Sequence, residues 1–204
     1  MNQEHNPLQE FQTWFYEVEK SHEIGEVNAM LLTTIGEDAC PKSRMVLLKR
    51  FTWEGFLFFT NYKSEKARAI AKNPRVSLHF NWKAADREIY IQGKAEKLPQ
   101  SVSEAYFEQR PRGSQLGAWA SEQGKIISSR KVLENNLKKL EEKFQEQIIP
   151  MPEHWGGYLV KPEAFDFIQY SSVGIRKTIR YQLEKDYSWC KHVRHGLDFF
   201  YIMK

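Results

Sequence analysis

"NAMLLTTIGEDACPKSRMVLLKRFTWEGFLFFTN", residues 28–61, decides how the chain folds. It reads as three strand-length runs rich in Leu, Ile, Val, Thr and Phe, parted by turn signals at Gly36-Glu37-Asp38 and Trp53-Glu54-Gly55. Runs of this length with such short joints predict neighbouring antiparallel strands, because parallel neighbours need a long crossover. The middle run poses a question. Met45-Val46-Leu47-Leu48 is apolar, yet Arg44 and Lys49 flank it. Either these cations are ordinary strand ends in water, or they hold an anion against the sheet.

The same alternation of signals continues outward. Leu8, Phe11, Phe15 and Val18 have helical spacing and predict an amphipathic helix from Pro7 to about Lys20. Ser64 predicts the cap of a short helix that runs to Asn73 and stops before Pro74. "RVSLHFNW" (75–82) and "REIYIQGKAEKL" (87–98) read as strands, and Ser101–Gln109 as helix. Ser128–Gln147 is predicted to be the longest helix, with Leu133, Leu137, Leu140 and Phe144 on one stripe and a solvated charged face opposite. Strands return in "GGYLVKPEAFDFIQY" (156–170) and "TIRYQLEKDYSWCKHVRHG" (178–196). No repeat, low-complexity tract or linker interrupts the chain. The pattern predicts an α+β fold around an antiparallel barrel or closed sheet, with residues 1–204 as one domain. Residues 1–24 are its amino-terminal helical segment and 155–204 its carboxyl-terminal strands.

Composition removes several classes. Thirty Lys and Arg against 26 Asp and Glu leave a net charge of +4, spread along the chain and not gathered in the stripe that nucleic acid requires. Cys40 and Cys190 lie far apart in sequence with no C-x-x-C, which argues against a disulfide framework and fits a reducing cytoplasm. No apolar stretch approaches the roughly 20 residues of a membrane span, and "MNQEHNPLQEF" has no signal-peptide core. Among six histidines only His192 and His195 are close, and three residues apart on a strand they face opposite ways, so no metal site is expected. G-x-S-x-G, P-loop and G-x-G-x-x-G motifs are absent.

What remains is a set of cations and hydroxyls at element ends: Arg44 and Lys49, then Thr60, Ser64 and Lys66, then Tyr106, Arg110, Arg112 and Ser114. Singly each is an ordinary surface group. Together they are what phosphorylated ligands require, namely arginine forks and lysine point charges beside hydroxyl donors.

Five stretches carry a resemblance: "SRMVLLK" (43–49), "FFTNYKSEKA" (58–67), "NPRVSLHFNW" (73–82), "YFEQRPRGSQLGAWAS" (106–121) and "WGGYLVKPEAFDF" (155–167). In these the chain strongly resembles the pyridoxine (pyridoxamine) 5′-phosphate oxidases, from about residue 10 to about residue 170. The resemblance implies an FMN-binding antiparallel split β-barrel with peripheral helices. It also implies a homodimer with FMN at the subunit interface, and oxidation of a phosphorylated B6 vitamer by O2 to pyridoxal 5′-phosphate and hydrogen peroxide. Residue by residue, it implies that Arg44, Met45, Val46, Leu47, Leu48 and Lys49 lie along the flavin. Phe59, Thr60, Lys66 and Gln123 join them as cofactor contacts. Lys49, Tyr106, Arg110 and Ser114 are the implied substrate contacts. No catalytic acid or base is implied.

The carboxyl-terminal part departs from the family pattern. Ile168 stands where the family has tryptophan, and Gly174-Ile175-Arg176-Lys177-Thr178 stand for its Arg-Leu-His-Asp-Arg. Glu65 replaces an arginine, Glu88 a glutamine and Gly124 a serine. Losing one charge-assisted contact costs roughly 1.5–3 kcal/mol, so these changes bear on affinity. Three readings stay open: the vitamer oxidase itself, a related flavin oxidase acting on another ring system such as a phenazine precursor, and a non-catalytic FMN- or pyridoxal-phosphate-binding paralogue.

Overall fold

The computed structural model describes residues 6–21, 25–121, 129–171 and 173–197. Its elements are α1 (Pro7–Ser21), β1 (Ala29–Ile35), β2 (Pro41–Leu47), β3 (Arg50–Thr52), β4 (Gly55–Asn61), α2 (Glu65–Lys72), β5 (Arg75–Trp82), β6 (Arg87–Lys97), α3 (Gln100–Glu108), α4 (Arg112–Ala120), α5 (Arg130–Phe144), β7 (Trp155–Tyr170), β8 (Ile175–Leu183) and β9 (Trp189–Leu197). The strands form one antiparallel sheet in the order β2-β1-β5-β6-β7-β4-β3, and β8 and β9 extend from β7. This is the split-barrel arrangement, with the helices outside the strand order.

β7 explains the split. One edge of this 16-residue strand pairs with β6 over most of its length. Its other edge pairs with β4 from Trp155 to Val160 and with β8 from Ala164 to Tyr170. The switch falls at Lys161-Pro162-Glu163. Proline has no N–H to give a ladder, and the β6–β7 register slips here, between Gln92 and Gly93. One proline and one glycine therefore divide one edge of a single strand between two partners, β4 and β8.

Alternation along β1, β5 and β6 turns Met30, Leu32, Leu78, Phe80, Ile89 and Ile91 fully inward. α1 closes one end of this core with the stripe expected from its spacing, Leu8, Phe11, Trp14, Phe15 and Val18. Phe11 is fully buried and meets the rings of Phe56, Phe51 and Phe80 edge-on at 4.8, 5.1 and 5.2 Å. Burying such a side chain stabilises by roughly 2–3 kcal/mol.

Three expectations change. Residues 28–61 form four strands, because the chain breaks at Leu48-Lys49 and restarts as β3. "RGSQLGAWA" (112–120), unassigned from its sequence because of its glycines, is helix α4. The predicted longest helix spans only Arg130–Phe144 and equals α1 at 15 residues; of its stripe only Phe144 is fully buried, and Leu133 is exposed. Among the described residues no helix is long and apolar enough to cross a membrane, and no His, Cys, Asp and Glu side chains gather in a group able to hold a metal.

Candidate functional site

Two groups of polar side chains meet at the end of β4, with Thr60 in both. The first lies between β2, β4 and α2. Lys42 and Arg44 alternate on the more buried side of β2, and Arg44 donates through Nη1 to Thr34 Oγ1 at 2.7 Å and the Leu32 carbonyl at 3.4 Å. Lys66, buried at 8% exposure, donates through Nζ to Thr60 Oγ1 at 3.2 Å. Burial, and then the charge of Arg44, lowers the Lys66 pKa from its ordinary value. Burial likewise lowers that of Arg44, partly offset by Glu65. Ser64 caps α2 by accepting from the Ala67 N–H at 3.4 Å, so the positive end of the helix dipole faces the same space. Two desolvated cations, a hydroxyl and a helix amino terminus form a cradle for a phosphate.

Glu65, the apparent intruder, turns sideways. Its Oε1 lies 2.8 Å from Lys42 Nζ, while Oε2 is 4.0 Å from Arg44 Nη2.

The second cluster lies between β4, α3, α4 and the start of β7. A cavity of about 340 Å³ is lined by Phe59, Thr60, Arg110, Ser114 and Trp155, among others. Arg110 lies over Trp155 at 4.6 Å and over Phe107 at 5.5 Å, and its buried Nη1 has no hydrogen-bond partner among the described residues. Burial lowers its pKa. A buried guanidinium N–H without an acceptor is costly, and the donor is suited to an oxyanion. Tyr106 stacks on Phe59 at 4.0 Å and Phe59 on Trp155 at 5.2 Å, all nearly parallel, so the wall beside Arg110 is flat and aromatic. Phe107, Leu116, Phe144, Ile149 and Trp155 form a separate small core that fixes this wall.

The structure thus brings Arg110 and Ser114 to one cavity with Phe59 and Thr60, and Arg44 and Lys66 to the adjoining cradle. It does not bring Lys49 to Arg110. Lys49 lines a different cavity of about 680 Å³ beside α1, with Phe15, Tyr16, Asn28 and Arg50. Along β2, Met45 is exposed while Leu48, just beyond the strand, is buried; Val46 and Leu47 are half-buried. Arg112 is otherwise engaged, donating to the Gln147 carbonyl at 3.1 Å and to that of Gln145 just beyond α5. Gln123 and Gly124 lie outside the described residues. Sequence reasoning missed Trp155, whose signal was an aromatic at a strand start beside Gly156-Gly157, and Lys42, whose signal was its i, i+2 spacing from Arg44.

The departing positions gather elsewhere. On the outer face, Glu88 Oε2 accepts from Tyr90 at 3.0 Å and lies 3.2 Å from His79 Nε2, with Tyr170 Oη 3.5 Å from Oε1. His79 stacks on Tyr90 at 4.0 Å. Burial and then Glu88 push the Tyr90 phenol up to about 12. Register sets Glu88 opposite Ile168, and Ile168 opposite Thr178. Gly174, with φ 75°, holds the left-handed turn before β8, which suits glycine.

Comparison with known proteins bears on the family and the fold. The family model described as pyridoxamine 5′-phosphate oxidase matches residues 18–144. The pyridoxine/pyridoxamine 5′-phosphate oxidase of Flavobacterium johnsoniae is 50% identical over 184 residues, covering 90% of this chain and 86% of that protein. Its namesake from Flavobacterium psychrophilum is 48% identical with the same coverage. Among solved structures, PhzG from Burkholderia lata 383 in complex with tetrahydrophenazine-1-carboxylic acid superposes with a TM-score of 0.89 at 21% identity, covering 96% of this chain and 95% of that one. An FMN-binding protein from Nostoc punctiforme, related to pyridoxamine 5′-phosphate oxidase, gives 0.75 at 13% identity, covering 94% and 99%. With a family match over more than half its length and 50% identity over 184 residues to a named relative, the chain belongs to the pyridoxamine 5′-phosphate oxidase family.

Proposed function

We propose that the protein oxidises pyridoxamine or pyridoxine 5′-phosphate to pyridoxal 5′-phosphate, with FMN as cofactor and dioxygen as acceptor. The observation that carries this reading is Arg110, a half-buried arginine whose buried Nη1 has no partner among the described residues, set against a stack of aromatic rings. That combination suits a phosphate attached to a planar ring. The cradle of Arg44, Thr60, Ser64 and Lys66 is the second phosphate site the reading needs, and its donors fit the phosphate of FMN.

Bound FMN supplies a two-electron acceptor for the hydride leaving the substrate's C4′ and passes the electrons on to dioxygen as hydrogen peroxide. The protein's part is placement. Arg110 and Ser114 hold the substrate phosphate, and the Tyr106–Phe59–Trp155 stack limits the tilt of the ring. Lys66 and Arg44 neutralise the cofactor phosphate.

The length of β7 supports a homodimer. Trp155 lies beside Arg110 at one end, and Ile168 and Tyr170 lie beside Glu88 at the other. Fifteen residue steps of strand contour are on the order of 50 Å. The family resemblance assigns both ends to one site, so a second copy supplies the far end. Two separated cysteines suit a reducing cytoplasm.

A related reading is favoured by the outer face. Glu88 with His79, Tyr90 and Tyr170, together with Gly174 and Arg176, differs from the family's Gln and Arg-x-His pattern. It suits a flavin oxidase whose second ring-contacting wall has changed its substrate.

The test is turnover in air with added FMN and pyridoxamine 5′-phosphate, following aldehyde and peroxide together. Equal amounts of both over many turnovers support the oxidase. Bound flavin without turnover counts against it, and a peroxide screen over other ring systems then decides for the related oxidase or for a non-catalytic flavin carrier.

A further inference from the structure

We propose that Lys42 is a positioning residue for the phosphate cradle: it holds the Glu65 carboxylate off Arg44, leaving Arg44 and Lys66 free to take a phosphate monoester. The inference rests on the reading of this cradle as the FMN phosphate site.

Glu65 is the first residue of α2 and immediately precedes the cradle lysine. An acid there suits the helix dipole, but it stands beside the two cations that a phosphate would need. Geometry resolves the conflict. Lys42 Nζ lies between Glu65 Oε1 at 2.8 Å and Asp38 Oδ2 at 3.3 Å, so it is tied to the helix on one side and to the β1–β2 turn on the other. Arg44 Nη2 is left 4.0 Å from the second Glu65 oxygen, at the limit of an ion pair. Arg44 instead spends Nη1 on Thr34 and Leu32.

The other charges nearby do not replace Lys42. Arg68 donates to the Lys63 carbonyl at 2.6 Å, and Lys66 turns inward to Thr60. Without Lys42, Arg44 is the nearest cation remaining to Glu65. A glutamate carboxylate reaches it by rotation about flexible side-chain bonds and matches the guanidinium fork. It would then occupy the donors a phosphate uses.

The pair also accounts for the acid where the family resemblance has an arginine. In this chain a strand-borne cation, Lys42, stands against that acid. An isolated exposed pair contributes little stability, so the role shows in ligand affinity and not in folding.

The experiment titrates FMN and riboflavin, by quenching of flavin fluorescence, into the full chain and into Lys42→Ala, Glu65→Gln and the double variant. Riboflavin lacks the phosphate and reports general damage to the flavin site. Lys42→Ala is expected to weaken FMN about tenfold, the scale of one charge-assisted contact. Riboflavin should change by less than about twofold on the same scale. Glu65→Gln should bind FMN at least as well as the wild type, and the double variant should return close to that level. FMN affinity unchanged in Lys42→Ala overturns the inference while leaving the cofactor reading standing. Equal weakening in Lys42→Ala and the double variant also overturns it, because Lys42 would then act without Glu65. A wild-type chain that binds no FMN overturns the cofactor reading and the inference with it.

Discussion

Arg110 concentrates the functional argument in one side chain. Its guanidinium stacks on Trp155 while a buried donor lacks a partner among the described residues, so much of the desolvation cost is met only when an anion binds. Arg110→Ala is therefore expected to raise the KM for the phosphorylated substrate by about tenfold to a hundredfold. The FMN dissociation constant should move by less than about threefold on that scale. Steady-state kinetics beside a flavin titration check this, and equal effects on both would remove Arg110 from the substrate side. Tyr158 is the contrasting residue. Its hydroxyl is buried without a partner among the described residues, and burial first and Tyr62 second push it up to about 12. A phenol whose folded pKa is raised keeps its full contribution below the unfolded value near 10 and loses it as pH rises toward 12. Denaturant unfolding at pH 9 and pH 11 should show stability falling between them, by about 1 kcal/mol from this group. Tyr158→Phe should reduce that loss and cost under about 1 kcal/mol at neutral pH, since no hydrogen bond is broken. At this scale the sequence was informative about identity and silent about direction. Arg110 and Arg112 are both exposed-looking cations in one motif, yet one lines a cavity and the other binds carbonyls beyond a helix.

Among elements, β7 carries the architecture, because one strand serves both halves of the split. Its partner at the switch is Gly93, where an added Cβ would lie 2.2 Å from the Lys161 carbonyl oxygen. Backbone is the obstacle there, so a side chain cannot be accommodated by a rotamer change. Gly93→Ala is expected to cost roughly 1–3 kcal/mol, or a fall in Tm of roughly 2–12 °C for a chain of this size, measured by calorimetry. A neutral Gly93→Ala would mean that the β6–β7 slip is more yielding than its geometry implies. Strand and helix positions here were largely legible, because alternation and 3.6-residue spacing are local properties of sequence. α4 was not, since Gly113 and Gly117 lower helix propensity, while packing of Leu116, Ala118 and Trp119 in the small core favours the helical segment. The break at Leu48-Lys49 was hidden for a similar reason: it is made by pairing, with Leu48 N–H donating to the Asn28 carbonyl and Lys49 N–H to that of Leu57.

For the whole molecule, the proposed site needs two chains. Sedimentation should give about twice the 24.1 kDa chain mass, and a chain that runs as a monomer while turning over substrate would sink the shared-site reading. The sequence by itself determined the class of fold, the two groups of phosphate-seeking residues and the family, because turn residues, periodicity and contiguous motifs are all written in neighbouring positions. Tertiary structure alone decided which cations converge. Arg44 and Lys66 are 22 positions apart yet close enough for their charges to interact, while Lys49, five positions from Arg44, faces a cavity beside α1. It also decided what Glu65 does, since an acid beside a phosphate cradle reads as repulsion until Lys42, 23 positions away, is seen to hold it aside. Long-range pairing sets those distances, and no local pattern encodes them.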